Sequence, residues 1–218
     1  MGMPYLARLG VTSGVACFRV DGCWLRDRWD VDFTNGAHHY ARRYVPRDEV
    51  WIDREAPGSG EARFLIEHQV RERAQMRDGA SYLLALSRAS RAERCARRAA
   101  LDGPPLPVPA ARDRVRRERI GEAIRARANV WIVDGRAVRD HLSVDFTLGG
   151  HGLRYRFIPR GEIWIDDAVV AQEVAAIVVH EEEELRLMRA GLDYAVAHRR
   201  ASLVERRFRA RAAVSLVG

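Results

Sequence analysis

The 218-residue chain contains no lysine, so all 37 of its basic residues are arginine, against 30 acidic ones. A net charge of +7 attracts polyanions at long range, and nucleic acid is one partner that an arginine-rich surface would suit. The arginines are interleaved with acids, as in Arg112-Asp113-Arg114 and Glu205-Arg206-Arg207, a pattern that fits solvated helix faces with local ion pairs better. Cysteine is scarce. Cys17, Cys23 and Cys95 are odd in number and lack CxxC spacing, which excludes a disulfide scaffold and suits a reducing compartment, so a cytoplasmic location is expected. Long apolar runs are also missing. The longest, near Val169 to Val179, is broken by Gln172 and Glu173, and the first twenty residues show no basic stretch leading into an apolar one. Neither a secretory signal nor a membrane partner is expected.

What the chain does have is an internal repeat. Val20-Asp21-Gly22 recurs as Val133-Asp134-Gly135, Val31-Asp32-Phe33-Thr34 as Val144-Asp145-Phe146-Thr147, and Trp51-Ile52-Asp53 as Trp164-Ile165-Asp166, each offset by 113 positions. Further on, His68, Glu72, Met76, Gly79, Tyr82, Ser90 and Glu93 match His180, Glu184, Met188, Gly191, Tyr194, Ser202 and Glu205 at an offset of 112, and the single-residue difference falls in a loop around Glu55 to Gly60. Residues 1–100 therefore form one repeat, the proline-rich stretch 101–111 a linker, and 112–218 the second repeat.

The expected fold class is α+β, a tandem duplication in which each unit is a small antiparallel sheet followed by an αα-hairpin. An Asp-Gly turn, an apolar strand ending Asp-Phe-Thr and a strand carrying Trp-Ile-Asp suggest a hairpin or meander. The period then changes to 3.6, giving helices near 61–77, 80–98, 168–190 and 193–212. Gly79 and Gly191 sit where helix ends need a left-handed residue, and Asp193 suits an N-cap. Residues 111–128 are expected to add a charged helix. Trp51, Trp164, Tyr44 and Phe157 alternate within strands and are expected in the core rather than on a base-stacking platform.

Polar residues on the last two helices break the pattern. On a wheel, Val174, Ile177, Val178, Leu185, Met188 and Leu192 form one stripe with Glu181 in its middle and His180 and Glu184 along its edge. Glu182 and Glu183 point away and read as a solvated acidic face, whereas Glu181 does not. On the following helix, Tyr194, Ala197, Ala201 and Phe208 share their face with His198 and Glu205. Glu184 lies seven residues before Gly191 and His198 seven after it, so an antiparallel hairpin puts them at one level, with His180 opposite Ser202. Two histidines and a carboxylate around one point form a usual catalytic zinc set. His180, Glu184 and His198 are the candidate ligands of Zn or another divalent metal, and Glu181 is the candidate general base. Glu205 and His151 are candidates for a supporting shell or an additional ligand, and His38 and His151 each occupy a Gly-x-His turn. No Glu-x-x-His occurs on either helix, which disfavours a ferritin-like di-iron site.

The run His180-Glu181-Glu182-Glu183-Glu184 resembles the HExxH helix of zincin metallopeptidases, with Glu184 where the second histidine would stand. That resemblance covers about five residues. It implies His180 as a ligand, Glu181 as the base and Glu184 as a ligand, while His198 rests on the level count alone. The segments Phe146-Thr147-x-Gly-Gly-His151-x-x-x-Tyr155 and Ile158-Pro159-x-x-Glu162-Ile-Trp-Ile-Asp166 also resemble bacterial and phage proteins without an assigned activity, which implies no function. In the first repeat His68, Glu72 and Glu93 persist, but Gln69 stands for Glu181 and Leu86 for His198, so its site should be silent.

These features lead to a metal-dependent hydrolase acting on peptide or amide bonds of a peptide or protein substrate. An arginine such as Arg154 or Arg156 would position an acidic substrate. The competing expectation is a noncatalytic module that binds nucleic acid or protein through its arginine-rich helices. In it, His180–Glu184 and His198–Glu205 would be buried polar pairs that fix the hairpin register.

Overall fold

A computed structural model describes residues 2–55 and 58–215. By compactness the chain divides into two units, one of residues 1–25, 33–105 and 143–145, the other of residues 26–32, 106–142 and 146–218. The expected length difference near Glu55 to Gly60 falls largely on residues 56 and 57, outside the described ones.

The first repeat runs β1 (Tyr5–Thr12), β2 (Val15–Val20), α1 (Gly22–Arg28), β3 (Gly36–His38), β4 (Glu49–Asp53), α2 (Gly58–Arg77) and α3 (Tyr82–Ala99). After α4 (Val108–Val115), the second repeats that order as β5 (Arg116–Ala123), β6 (Ala128–Val133), α5 (Gly135–His141), β7 (Gly149–His151), β8 (Glu162–Asp166), α6 (Ala171–Arg189) and α7 (Tyr194–Ser215). Each repeat is thus the expected α+β unit, a small sheet followed by a helical hairpin. The strand orders are β1-β2-β4-β3 and β5-β6-β8-β7. Both sheets are mixed, because β2 runs parallel to β4 and β6 parallel to β8, while the other pairs are antiparallel.

Four expectations need correcting. The sheets are mixed rather than antiparallel, because β2–β4 and β6–β8 pair in parallel across distant segments. The Asp-Gly pair does not turn a hairpin but opens a short helix: Asp21 Oδ1 accepts from Trp24 N at 3.0 Å and Asp134 Oδ1 from Ala137 N at 2.8 Å, both as N-caps. The glycine is required there because a Cβ on Gly22 would lie 2.0 Å from the Asp53 carboxylate, and one on Gly135 2.1 Å from that of Asp166. The Asp-Phe-Thr segments are loop, not strand; Val31 and Phe33 are buried without joining a ladder. The charged helix expected at 111–128 stops at Val115, and Arg116–Ala123 forms the edge strand β5, exposed along most of its length. Arginine and glutamate suit both a solvated helix and an edge strand that must stay soluble.

Strands β4 and β8 are central and buried on both faces. In the second unit Ile163 and Ile165 pack with Val130, Ile177 and Leu185 under α6, while Trp164 joins Phe146, Val138, Tyr155 and Ile158 on the opposite face. The first unit does the same with Val50, Ile52, Leu65 and Val70 on one side, and Trp51, Leu25, Phe33 and Val45 on the other. Trp51 and Trp164 are core residues, as expected, whereas Tyr44 and Phe157 lie in turns rather than strands and pack at the edge of the same clusters. Gly79 (φ 97°) and Gly191 (φ 94°) end α2 and α6 in the left-handed region, and Asp193 Oδ1 caps α7 by accepting from Val196 N at 2.9 Å. No disulfide joins Cys17, Cys23 and Cys95. No helix among the described residues is long and apolar enough to cross a membrane.

Candidate metal centre

The Gly191 turn folds α7 back against α6, and the side chains counted to one level meet. Glu184 Oε2 lies 2.9 Å from His198 Nδ1 and 3.6 Å from His180 Nε2, and the two ring nitrogens are 3.1 Å apart. At zinc–ligand distances of about 2.0–2.1 Å a tetrahedral site has ligand–ligand edges of about 3.3–3.4 Å. The triangle of His180 Nε2, His198 Nδ1 and Glu184 Oε2 matches that size, and all three residues belong to one metal-competent group.

Each of these side chains is held from behind. His180 Nδ1 faces Glu205 Oε2 at 2.9 Å, and Glu205 is held by Arg209 Nε at 2.8 Å. His198 Nε2 faces Asp32 Oδ1 at 3.4 Å within the same compact unit. Glu184 Oε1 lies 3.0 Å from His151 Nε2. His151 Nδ1 accepts the backbone N–H groups of Leu153 and Arg154 at 3.2 and 3.3 Å, which leaves Nε2 to carry the proton and donate to Glu184. His151 therefore orients the Glu184 carboxylate rather than offering a lone pair of its own. Histidine ligands backed by carboxylates, and a carboxylate ligand backed by an N–H donor, are the usual second layer of a metal site.

The shortest pairs cross between helices, His180 with Glu205 and Glu184 with His198, while His180 and Glu184 also face each other within α6 at 3.6 Å. Glu181, part-exposed, has a carboxylate oxygen grouped within 4.8 Å of ligand atoms of His151 and Glu184. Burial of its carboxyl, reinforced by the charge of Glu184, pushes its pKa up to about 7. Against the upward pull of burial, hydrogen bonds from His151, His180 and His198 hold Glu184 well below the usual carboxylate range. Burial opposes the charging of His180, but Glu184 and Glu205 raise it to about 10; Asp32 and Glu184 raise His198 to about 9. The four acidic groups Asp32, Glu181, Glu184 and Glu205 thus lie among three imidazoles, with Arg209 on Glu205, an arrangement that favours positive charge between them, from protons or from a cation.

Glu182 and Glu183 do point away from this cluster, but they are not solvated. Only 8% and 7% exposed, they are tied to Arg125 in the β5–β6 turn, where Glu182 accepts from Arg125 N at 2.7 Å and Nε at 3.0 Å, and Glu183 pairs with Arg186 at 2.7 Å. Arg154 lies over the rings of Tyr155 (4.8 Å) and Tyr194 (4.7 Å), and Tyr194 stacks on His198 at 5.5 Å. Arg156 is exposed.

The sequence reading missed Asp32, Glu173, Arg209 and Arg26. Glu173 accepts from Arg209 at 2.7 and 2.9 Å and from Arg26 Nε at 2.6 Å, which extends the network behind Glu205. Glu173 and Arg209 repeat Glu61 and Arg97 at the same 112 offset, so the repeat itself carried a signal for them. Asp32 had none beyond its place in a repeated motif.

The first unit holds the same scaffold. His38 Nε2 lies 3.0 Å from Glu72 Oε1, with Nδ1 accepting from Tyr40 N and Ala41 N; His68 Nδ1 lies 2.8 Å from Glu93 Oε2; Arg97 binds Glu93 at 2.8 Å and also pairs with Glu61. Gln69 and Leu86 interrupt it at the positions of Glu181 and His198. No protein-family model, curated protein or solved structure matches the chain.

Proposed function

We propose that the second unit is a zinc-dependent hydrolase of peptide or amide bonds, with His180 Nε2, Glu184 Oε2 and His198 Nδ1 as ligands and Glu181 as general base. The observation that carries this reading is the convergence of three ligand atoms, each backed by a separate partner: Glu205, Asp32 and His151. Zinc would polarise a scissile carbonyl and acidify a water. Glu181, buried to a pKa near neutrality, then takes the water's proton and returns it to the leaving amine. Glu205 and Asp32 keep each imidazole presenting a lone pair to the ligand triangle. Arg154, held over Tyr194, is the cation beside His198 for an acidic group on the substrate.

A second reading, a purely structural polar lock, draws on the persistence of the His–Glu–His–Glu–Arg chain in the first unit. It accounts for the shared residues but not for Glu181 and His198, the two additions that turn a closed network into a ligand set. Incubating the zinc-loaded full-length chain with peptide mixtures, followed by mass spectrometry, tests the hydrolase. Cleavage by wild type should fall by about 10²–10⁴-fold in Glu181→Gln, with bound zinc unchanged. Equal cleavage by both proteins would remove Glu181 as the base.

A further inference from the structure

We infer that Asp32, numbered in the first repeat, is a positioning residue for the metal centre of the second unit. It fixes the His198 ring through Nε2, so that Nδ1 is the nitrogen turned towards the ligand triangle. This rests on the metal reading above.

Residues 26–32 belong to the same compact unit as α7. Within it, Asp32 Oδ1 accepts the Ser202 hydroxyl at 2.7 Å and faces His198 Nε2 at 3.4 Å, while the Asp32 backbone N–H donates to Asp30 Oδ1 at 3.1 Å. Two further contacts tether the segment: Asp27 to Arg209 at 3.0 Å and Arg26 to Glu173 at 2.6 Å. The carboxylate is therefore anchored by the Ser202 hydroxyl and its segment by the Asp27 and Arg26 pairs, the kind of support a group needs if it is to orient another ring. Nδ1 lies 2.9 Å from Glu184 Oε2 and 3.1 Å from His180 Nε2; when a cation takes the place of the proton Nδ1 gives to Glu184, the neutral imidazole keeps one N–H, and an acceptor at Nε2 would hold it there and leave the lone pair to Nδ1.

The first unit supplies a matched contrast. Asp145, from the second Val-Asp-Phe-Thr motif, lies in that unit and accepts the Ser90 hydroxyl at 2.9 Å, as Asp32 accepts that of Ser202. Leu86 occupies the position of His198 there, so the Asp–Ser contact belongs to the architecture and the Asp–His contact is the addition. A residue numbered in the first repeat thus completes the candidate site of the second unit.

The test uses the full-length chain and zinc alone as the probe, with affinity measured by competition against a chromophoric chelator and the visible spectrum recorded after Co²⁺ substitution. Asp32→Ala should weaken zinc by about 10–100-fold, the usual cost of removing a second partner, and shift the Co²⁺ bands. Asp32→Asn keeps an acceptor oxygen and should recover most of the loss, with a smaller spectral shift. Asp145→Ala should bind like wild type. If Asp32→Ala does not fold, Asp32→Asn decides: a severalfold weakening with shifted bands supports the inference, and unchanged affinity and spectrum overturn it. The inference also falls if Asp32→Ala binds as wild type does, or if Asp145→Ala loses as much as Asp32→Ala. Failure of wild type to take up zinc would overturn the metal reading itself, and this inference with it.

Discussion

In the first unit a chain of hydrogen bonds and ion-pair contacts runs from His38 through Glu72, His68 and Glu93 to Arg97, with Leu86 and Gln69 at the two remaining positions. In the second the same chain runs from His151 through Glu184, His180 and Glu205 to Arg209, but His198 and Glu181 stand at those two positions. The comparison separates what a buried polar network does for a fold from what it does for chemistry. Five residues suffice to cross-link the helical hairpin to the β3 or β7 strand, since both units contain them. On the reading proposed above, one imidazole and one carboxylate would change that lock into a cation site with a base beside it.

The largest effect should come from erasing the difference. The double variant Glu181→Gln, His198→Leu gives the second unit the first unit's side chains, so it should fold while losing zinc, with stoichiometry falling from one per chain to none. Zinc uptake by that variant would mean the ligands lie elsewhere. The shared scaffold should respond alike in both units. Glu93→Ala and Glu205→Ala each take one carboxylate from a buried histidine and arginine, while Arg97 keeps Glu61 and Arg209 keeps Glu173, and each should cost about 1–3 kcal/mol in the zinc-free protein, read from urea unfolding. A loss confined to Glu205→Ala would show the first network to be dispensable.

Acidity offers a subtler contrast. Burial opposes the charging of His68, yet Glu72 and Glu93 raise its pKa to about 9 against 6.5 for a free imidazole. Raised in the fold, it contributes stability that is fully present below about pH 6.5 and lost as pH rises through about 9, on the order of 2–3 kcal/mol. The zinc-free urea midpoint should therefore fall between pH 6.5 and 9.5, with part of the fall absent in His68→Gln. An identical pH profile in that variant would contradict the assignment. The smallest expected effect is a gain. Leu86→His with Gln69→Glu restores the missing pair beside Asp145 and Ser90, and weak binding of a second zinc should appear in titration calorimetry. Continued one-to-one binding would mean that more than these two positions separates the units.

Much of the site could be read from the sequence because helices obey a simple count. Seven residues on either side of Gly191 put Glu184 and His198 at one level, and the left-handed glycine made the hairpin antiparallel, so the two-helix geometry followed from spacing. The wheel could also tell an inward Glu181 from outward neighbours, although it could not foresee that Glu182 and Glu183 would be buried under Arg125, a contact between residues far apart in sequence. The sheets were harder. Val31-Asp32-Phe33-Thr34 has the composition of a strand, but its apolar residues are buried from a loop and its aspartate reaches His198, a pairing that no local period encodes. Arg116–Ala123 has the composition of a helix and forms an edge strand, because the pairing partner Ala128–Val133 outweighs local propensity. The parallel β2–β4 and β6–β8 pairings were hidden for the same reason: register between distant segments leaves no trace in either one alone.

The most direct test is the zinc content of the purified full-length chain, stripped with a chelator, reloaded and measured by elemental analysis beside His180→Ala. One zinc per wild-type chain and none in the variant is the predicted result. Equal content in the two proteins, whether one or none, would contradict the metal centre.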